Sequence, residues 1–258
     1  MEAYERVKVA RSKNRATGID FISNIIEDFT ELHGDRCFGD DGAVVAGIGC
    51  INGQAVTVIA LEKGKDTKDR IRRNFGSAHP EGYRKALRQM KLAEKFQRPI
   101  ICFVDTSGAY PGIGAEERGQ GYAIAQNLME MMTLKVPIIS IFIGEGGSGG
   151  ALALAVANQV WMLENSVYSV IAPENCASIL WKDFSKTKEV AESLKLTADY
   201  LLEFGIIEKI IIEQNDFSQV YDTIKDELNQ TLQELGGKST EELLNERYNR
   251  FRRIGGGE

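Results

Sequence analysis

The chain has 258 residues, with 31 Lys and Arg against 37 Asp and Glu, for a formal net charge of −6. That acidic balance counts against nucleic-acid or anionic-membrane binding through overall charge, while 43% hydrophobic residues over this length allow a sizeable core. No stretch approaches the roughly 20 apolar residues of a membrane span and no apolar run follows the N-terminal charges, so the expectation is a cytoplasmic protein that is not secreted.

Residues 1–35 read as two polar-faced helices, the second from Ile19 to Phe29, forming an N-terminal helical arm apart from a unit over 36–258. The β-rich runs 43–51 and 54–62 flank Asn52-Gly53, the strongest short hairpin signal. Residues 63–76 form a basic loop or short helix, and 80–96 a helix opened by proline. A repeating pattern follows: strand 99–104, glycine loop 105–119, helix 120–134, strand 137–143, glycine loop 144–150, and a short apolar helix 151–157 placed in the interior. Short strands at 160–163 and 167–171 come next. After Pro173 the chain turns helical, with one late strand at 208–212, amphipathic helices near 216–235 and 240–253, and a frayed tail IGGGE. Strand, loop and helix in repetition predict parallel strands with right-handed crossovers.

Four cysteines, Cys37, Cys50, Cys102 and Cys176, are too widely spaced for a C-x-x-C zinc or redox motif, so no metal is expected in this chain. Only His33 and His79 are available for histidine acid–base work. GEGGSGG (144–150) fits several motifs. Gly144-x-Gly146-x-x-Gly149, with Glu164 downstream, matches a dinucleotide fingerprint, although its helix is short and apolar. Gly146-x-Ser148-x-Gly150 matches a nucleophile elbow, yet both histidines precede Ser148, against the order of that fold. The glycines could also serve packing alone, with Ser148 as an N-cap. The remaining reading is an oxyanion hole of backbone N–H groups, joined by a second set around Gly108 and Ala109 on the neighbouring strand.

The phrases LHGDRCFGDDGAVVAGI, KGKDTKDRIRRNFGSAHPEGYRKALRQMKLAEKF, DTSGAYPGIGAEERGQ, PIISIFIGEGGSGGALALAVA and MLENSVYSVIAPENCASILWKD resemble the carboxyltransferase alpha subunits of bacterial acetyl-CoA carboxylase, from about Tyr4 to Ile254. The resemblance implies an α/β crotonase-type (ClpP/crotonase) spiral of ββα units with helical extensions at both termini, and makes 36–258 the carboxyltransferase domain. It also implies a beta-subunit partner in an α2β2 heterotetramer, a biotin carboxyl carrier protein delivering carboxybiotin, a biotin carboxylase, and acetyl-CoA as acceptor, giving malonyl-CoA for fatty acid biosynthesis. Biotin itself can act as base in that chemistry, so no histidine is required. By match to the family motif, Gly149 and Gly150 supply the alpha-side oxyanion hole, Gly146 and Gly147 shape the loop, and Gly108 and Ala109 line the biotin pocket. The sequence departs from the family at Ser107, where proline is usual, at Asn175, where glycine is usual, and in lacking a further N-terminal coiled-coil segment.

Other residues carry bland readings beside functional ones. Lys63, Lys65, Lys68, Arg70, Arg72 and Arg73 attract coenzyme A phosphates or an acidic carrier, or form a solvated segment balanced by Asp66 and Asp69. His79 is expected as a capping or core residue, Glu116 and Glu117 as first-turn acids, and Arg247, Arg250, Arg252 and Arg253 as a partner-facing or solvated surface. The rival functions are a stand-alone hydratase or thioesterase, which needs a positioned carboxylate, a dehydrogenase, and a non-catalytic scaffold for the beta subunit.

Overall fold

The computed structural model describes residues 1–214 and 216–256, so the end of the expected frayed tail, Gly257 and Glu258, lies outside the described residues. Helices α1 (Ala3–Ala10) and α2 (Gly18–Ile25) open the chain. The amide of Thr17 donates to the Asp20 carboxylate at 2.9 Å, which fixes the start of α2. The expected continuation of this helix to Phe29 does not form. Strand β1 (Glu27–Glu31) takes its place and pairs antiparallel with β2 (Val44–Ile51), Thr30 opposite Ile48. None of its residues is buried, so helical apolar spacing ends at Ile26. Gly47 leaves the room that lets the β1 backbone in: a β-carbon there would stand 2.1 Å from the Thr30 carbonyl.

β2 turns into β3 (Gln54–Leu61) through Asn52 (φ 46°) and Gly53 (φ 79°), both left-handed as a type I′ turn requires. Then come α3 (Thr67–Arg72), α4 (Pro80–Lys95), β4 (Ile100–Thr106), α5 (Ile113–Glu117), α6 (Gln120–Thr133), β5 (Ile138–Gly147), α7 (Ser148–Leu152), β6 (Gln159–Leu163), β7 (Val167–Ser169) and α8 (Pro173–Cys176). A π-helical turn over Ala177–Trp181 leads to α9 (Thr187–Ser193), α10 (Ala198–Glu203), β8 (Lys209–Ile211), α11 (Phe217–Gly236) and α12 (Thr240–Arg253). Among the described residues the strands form one sheet in the order β1-β2-β3-β4-β5-β6-β8, parallel from β3 onward, with β7 paired to the end of β5.

Alternation along the central strands divides the core. Ile100, Cys102 and Val104 face Tyr83, Met90 and Met131 on one side, while Ile101 and Phe103 face Phe21, Trp161 and Leu228 on the other. Helices thus cover both faces, as a parallel sheet demands. No helix among the described residues is long and apolar enough to cross a membrane.

Two further expectations change. The second glycine segment is not a loop: residues 144–147 continue β5, because Gly146 is paired with Thr106 on one edge and Tyr168 on the other. The apolar helix begins earlier than expected and ends at Leu152. The carbonyls of Ala153 and Leu154 are instead taken by the Asn127 amide (3.3 Å) and the Ser140 hydroxyl (2.6 Å), which draw the chain out of helical geometry while keeping it buried.

Arg247 and Arg250 are not a solvated face. Arg247 is fully buried and donates to the carbonyls of Met131, Leu134 and Val136 and to the Asn158 side chain, at 2.6–2.9 Å. It thereby caps the C-terminal end of α6, where the helix dipole favours a cation. Burial lowers its pKa to about 10. Arg250 donates to Glu208 at 2.6 Å and to the Ile206 carbonyl, and only Arg252 and Arg253 remain exposed. Replacing Arg247→Met should cost about 3–5 kcal/mol, because several buried carbonyls lose their donor together. Urea unfolding measures it, and a loss below 1 kcal/mol would contradict this account.

Candidate active site

Parallel strands bring their C-terminal ends to one edge, and the polar residues that follow the apolar runs of β3, β4 and β5 meet there. Lys63 donates from Nζ to Asp105 Oδ1 and to Glu145 Oε2, each at 2.7 Å. The Glu145 amide donates to Asp105 Oδ1 at 2.7 Å, and Arg11 Nε, from the turn after α1, donates to Glu145 Oε1 at 2.6 Å. Arg15 reaches the Ile143 carbonyl at 2.7 Å and pairs with Glu213. Burial opposes the charge on both Glu145 and Lys63. The ion-pair partners outweigh it: Lys63 and Arg11 hold the Glu145 carboxyl below its ordinary value, and Asp105 and Glu145 hold the Lys63 ammonium above its own.

Motif reading missed this cluster. Its only sequence signal is a charged residue closing each apolar run, Asp105 after ICFV and Glu145 after IFIG. The basic stretch is largely consumed internally as well. Lys65 pairs with Asp20, Arg72 and Arg73 pair with Asp69, and Arg70 donates to the carbonyls of Gly64 and Lys13.

Beyond Glu145 the backbone of β5 passes very close to the chain leaving β4. A β-carbon on Gly147 would stand 2.1 Å from the Ser107 carbonyl oxygen, and one on Gly150 would stand 2.5 Å from the Ala109 nitrogen and 2.9 Å from Tyr83 Oη. Only glycine fits at these two positions. Gly149 differs: its nearest neighbour would be Ile124 Cγ2 at 3.6 Å, an ordinary contact. Helix α7 starts without a side-chain cap, and helix geometry leaves the amides of its first turn, Ser148, Gly149 and Gly150, without intrahelical acceptors.

The loop after β4 offers less. Gly108 has φ 147°, and its amide donates to Thr106 Oγ1 at 3.1 Å while that hydroxyl donates to the Gly108 carbonyl at 2.9 Å. The Ala109 amide has no acceptor among the described residues. Beside the α7 N-terminus lies a cavity of about 410 Å³ with Ser148, Gly149, Leu152, Tyr168, Phe251 and Ile254 in its wall. Neither Gly108 nor Ala109 lines it, and Gly146 and Gly147 border a separate small cleft with Arg11 and Ser107.

The competing motifs find no partners. His79 stands at the N-cap of α4, as expected, but its ring makes no cap hydrogen bond: it stacks on Tyr110, centroids 4.1 Å apart, and contacts the Asn74 side chain at 3.1 Å, so it does not serve Ser148. His33 contacts Asp40 at 3.0 Å. Glu116 and Glu117 are exposed, and Glu164 accepts the Glu213 amide at 3.2 Å. Ser148 therefore has the sharp strand-to-helix turn of a nucleophile elbow without a base.

Residues 1–255 match the model of the acetyl co-enzyme A carboxylase carboxyltransferase-like family. The acetyl-coenzyme A carboxylase carboxyl transferase subunit alpha of Ruminiclostridium cellulolyticum is 63% identical over 256 residues, covering 99% of this chain and 98% of its own. That of Clostridium acetobutylicum is 56% identical over 257 residues, covering 98% and 94%. Among solved structures, transcarboxylase 12S with methylmalonyl-coenzyme A and methylmalonic acid bound is similar at a TM-score of 0.70 and 19% identity, over 84% of this chain and 42% of its own. The geranyl-CoA carboxylase beta subunit of P. aeruginosa is similar at 0.70 and 18% identity, over 93% and 46%. This chain spans less than half of either structure, and the likeness is one of fold: the expected crotonase-type architecture is that of these carboxyltransferases.

The charge cluster predicts a specific pH dependence. Because the folded Glu145 pKa lies below its ordinary 4.5, the folded state binds fewer protons than the unfolded one near that pH. Its stabilisation is present above pH 4.5 and is lost as pH falls through the lowered folded value. Denaturation curves between about pH 6 and 3 should show Glu145→Gln losing stability less steeply than the wild type. Parallel slopes would remove Glu145 from this role.

Proposed function

Because the chain belongs to the acetyl co-enzyme A carboxylase carboxyltransferase-like family, we propose that it is the alpha subunit that moves the carboxyl group of carboxybiotin to acetyl-CoA, forming malonyl-CoA for fatty acid biosynthesis. In this reading it is cytoplasmic and works in an α2β2 assembly with a beta subunit, served by the biotin carboxyl carrier protein and biotin carboxylase.

One observation carries the reading most. The close packing around Gly147 and Gly150 explains those glycines, but neither packing nor a positive φ explains Gly149. What remains is the approach of a ligand to its amide. Gly149 lines a largely apolar cavity, and removing water strengthens any hydrogen bond made there. The volume and the apolar walls fit a bicyclic ureido ring, with Ser148, Ser169 and Arg250 contributing polar side chains to the lining.

Bound carboxybiotin supplies the carboxyl carbon and, after its release, the base for the acetyl methyl proton. The contribution of this chain is positional. Gly149 and Gly150 offer backbone N–H donors where an oxygen becomes negative, and Gly146 and Gly147 carry the strand that delivers them. Of the residues assigned to the biotin pocket, Ala109 has an amide without an acceptor among the described residues, while that of Gly108 is spent on Thr106. The hydratase reading is disfavoured because no Asp or Glu among the described residues lines this cavity. The dehydrogenase reading is disfavoured because α7 has five residues and Glu164 is engaged internally.

The chain mixed with its beta subunit, carboxybiotin on its carrier and acetyl-CoA should form malonyl-CoA, and no product would refute the proposal. Gly149→Ala should leave the melting temperature close to that of the wild type, since a β-carbon there makes only an ordinary contact with Ile124, and lower kcat/KM by about 10²-fold. Unchanged turnover would move the donor elsewhere.

A further inference from the structure

Residues 144–150 contain five glycines, none of which has a positive φ. The one residue of the segment after Glu145 that is not glycine, Ser148, has φ 49°. The backbone conformation that glycine adopts most freely is thus held by a residue with a β-carbon. Such strain persists only where the surroundings enforce it, and it gathers at functional positions. Other non-glycine residues share a positive φ, among them Phe75 and Lys182, but Ser148 is the one that lines the cavity beside Gly149.

The side chain itself has no structural task. Its hydroxyl has no hydrogen-bond partner among the described residues, it does not cap α7, and it is exposed at the turn. Among the described residues no base is in place to deprotonate it: His79 is held by Tyr110 and Asn74, His33 by Asp40, and no carboxylate lines the cavity. It can donate a hydrogen bond, and nothing equips it as a nucleophile.

We propose that Ser148 is a further catalytic residue, its hydroxyl donating a hydrogen bond to an oxygen of the carboxyl group in transfer, alongside the amides of Gly149 and Gly150. The proposal rests on the carboxyl-transfer reading above. The hydroxyl keeps its proton throughout, and no covalent bond forms or breaks on it.

The test uses the assembled complex with the beta subunit and compares Ser148→Ala, which keeps the strain and removes the hydroxyl, with Ser148→Gly, which removes both. Both variants should assemble normally by gel filtration. Both should lower kcat between about tenfold and 10²-fold, with KM for acetyl-CoA within about twofold of wild type. Ser148→Gly should also raise the melting temperature above that of the other two proteins. A merely structural serine would lose stability and activity together. Full turnover by either variant, failed assembly, or a lowered melting temperature in Ser148→Gly would overturn the proposal. Absence of malonyl-CoA from the wild-type complex would instead overturn the carboxyl-transfer reading itself.

Discussion

The contact between the Ser107 carbonyl and the α-carbon of Gly147 governs the geometry of this edge of the molecule. With a β-carbon 2.1 Å from that oxygen, the two strand exits would have to separate. Gly150 repeats the constraint one turn later against the Ala109 amide. Glycine in a strand is unfavourable by roughly 0.5–1 kcal/mol relative to alanine, through the freedom it loses on folding. The pairing of residues 145–147 with β7 on one side, and of Gly146 with Thr106 on the other, offsets that loss. The result is a strand that runs past its apolar segment and ends directly in a helix, with the amides of the first turn delivered at a fixed height above the sheet.

The buried ions belong to the same arrangement. Asp105 Oδ1 accepts both the Lys63 ammonium and the Glu145 amide, so one oxygen ties the ends of β3, β4 and β5 together. Burying such groups is expensive, and an ion pair of this kind is weak evidence for net stability. Its clearer effect is on register. Shifting β5 by one residue would turn Glu145 away from Lys63 and Arg11 and leave their charges unpaired, in addition to placing the wrong residues against Ser107. The polar cluster and the glycines thus specify one position of β5 from its two sides.

How far the sequence could be read follows from this physics. The apolar runs of β4 and β5, the Asn52-Gly53 turn and the proline-led α4 are encoded locally, and composition and spacing reveal them. β1 is different: EDFTE half-buries only Phe29 and forms a strand because Gly47 opens the edge of β2 to it. Residues 144–147 resemble a loop in any local reading, and their pairing partners Thr106 and Tyr168 are distant in sequence. Arg247 resembles the other arginines of its helix, although the carbonyls it binds lie more than a hundred residues earlier. At the candidate site the glycine pattern is visible in the sequence, but not which glycines the packing requires and which would tolerate a β-carbon. That separation needed the neighbours of each α-carbon.

The ends of the chain complete the site from opposite sides. Arg11, after the first helix, holds Glu145 beneath the donor turn, while Phe251 and Ile254, at the end of α12, stand in the wall of the apolar cavity above it. The position of α12 depends on Arg247, whose guanidinium binds the carbonyls that close α6 and the loop leading into β5. The same hydrogen bonds that settle the C-terminal helix therefore set the depth of the cavity beside Gly149. A strand fixed by buried charge and a wall fixed by a buried arginine leave the intervening main-chain amides little freedom to reorganise, and donors acting on a transient negative oxygen are most effective when they are already in place.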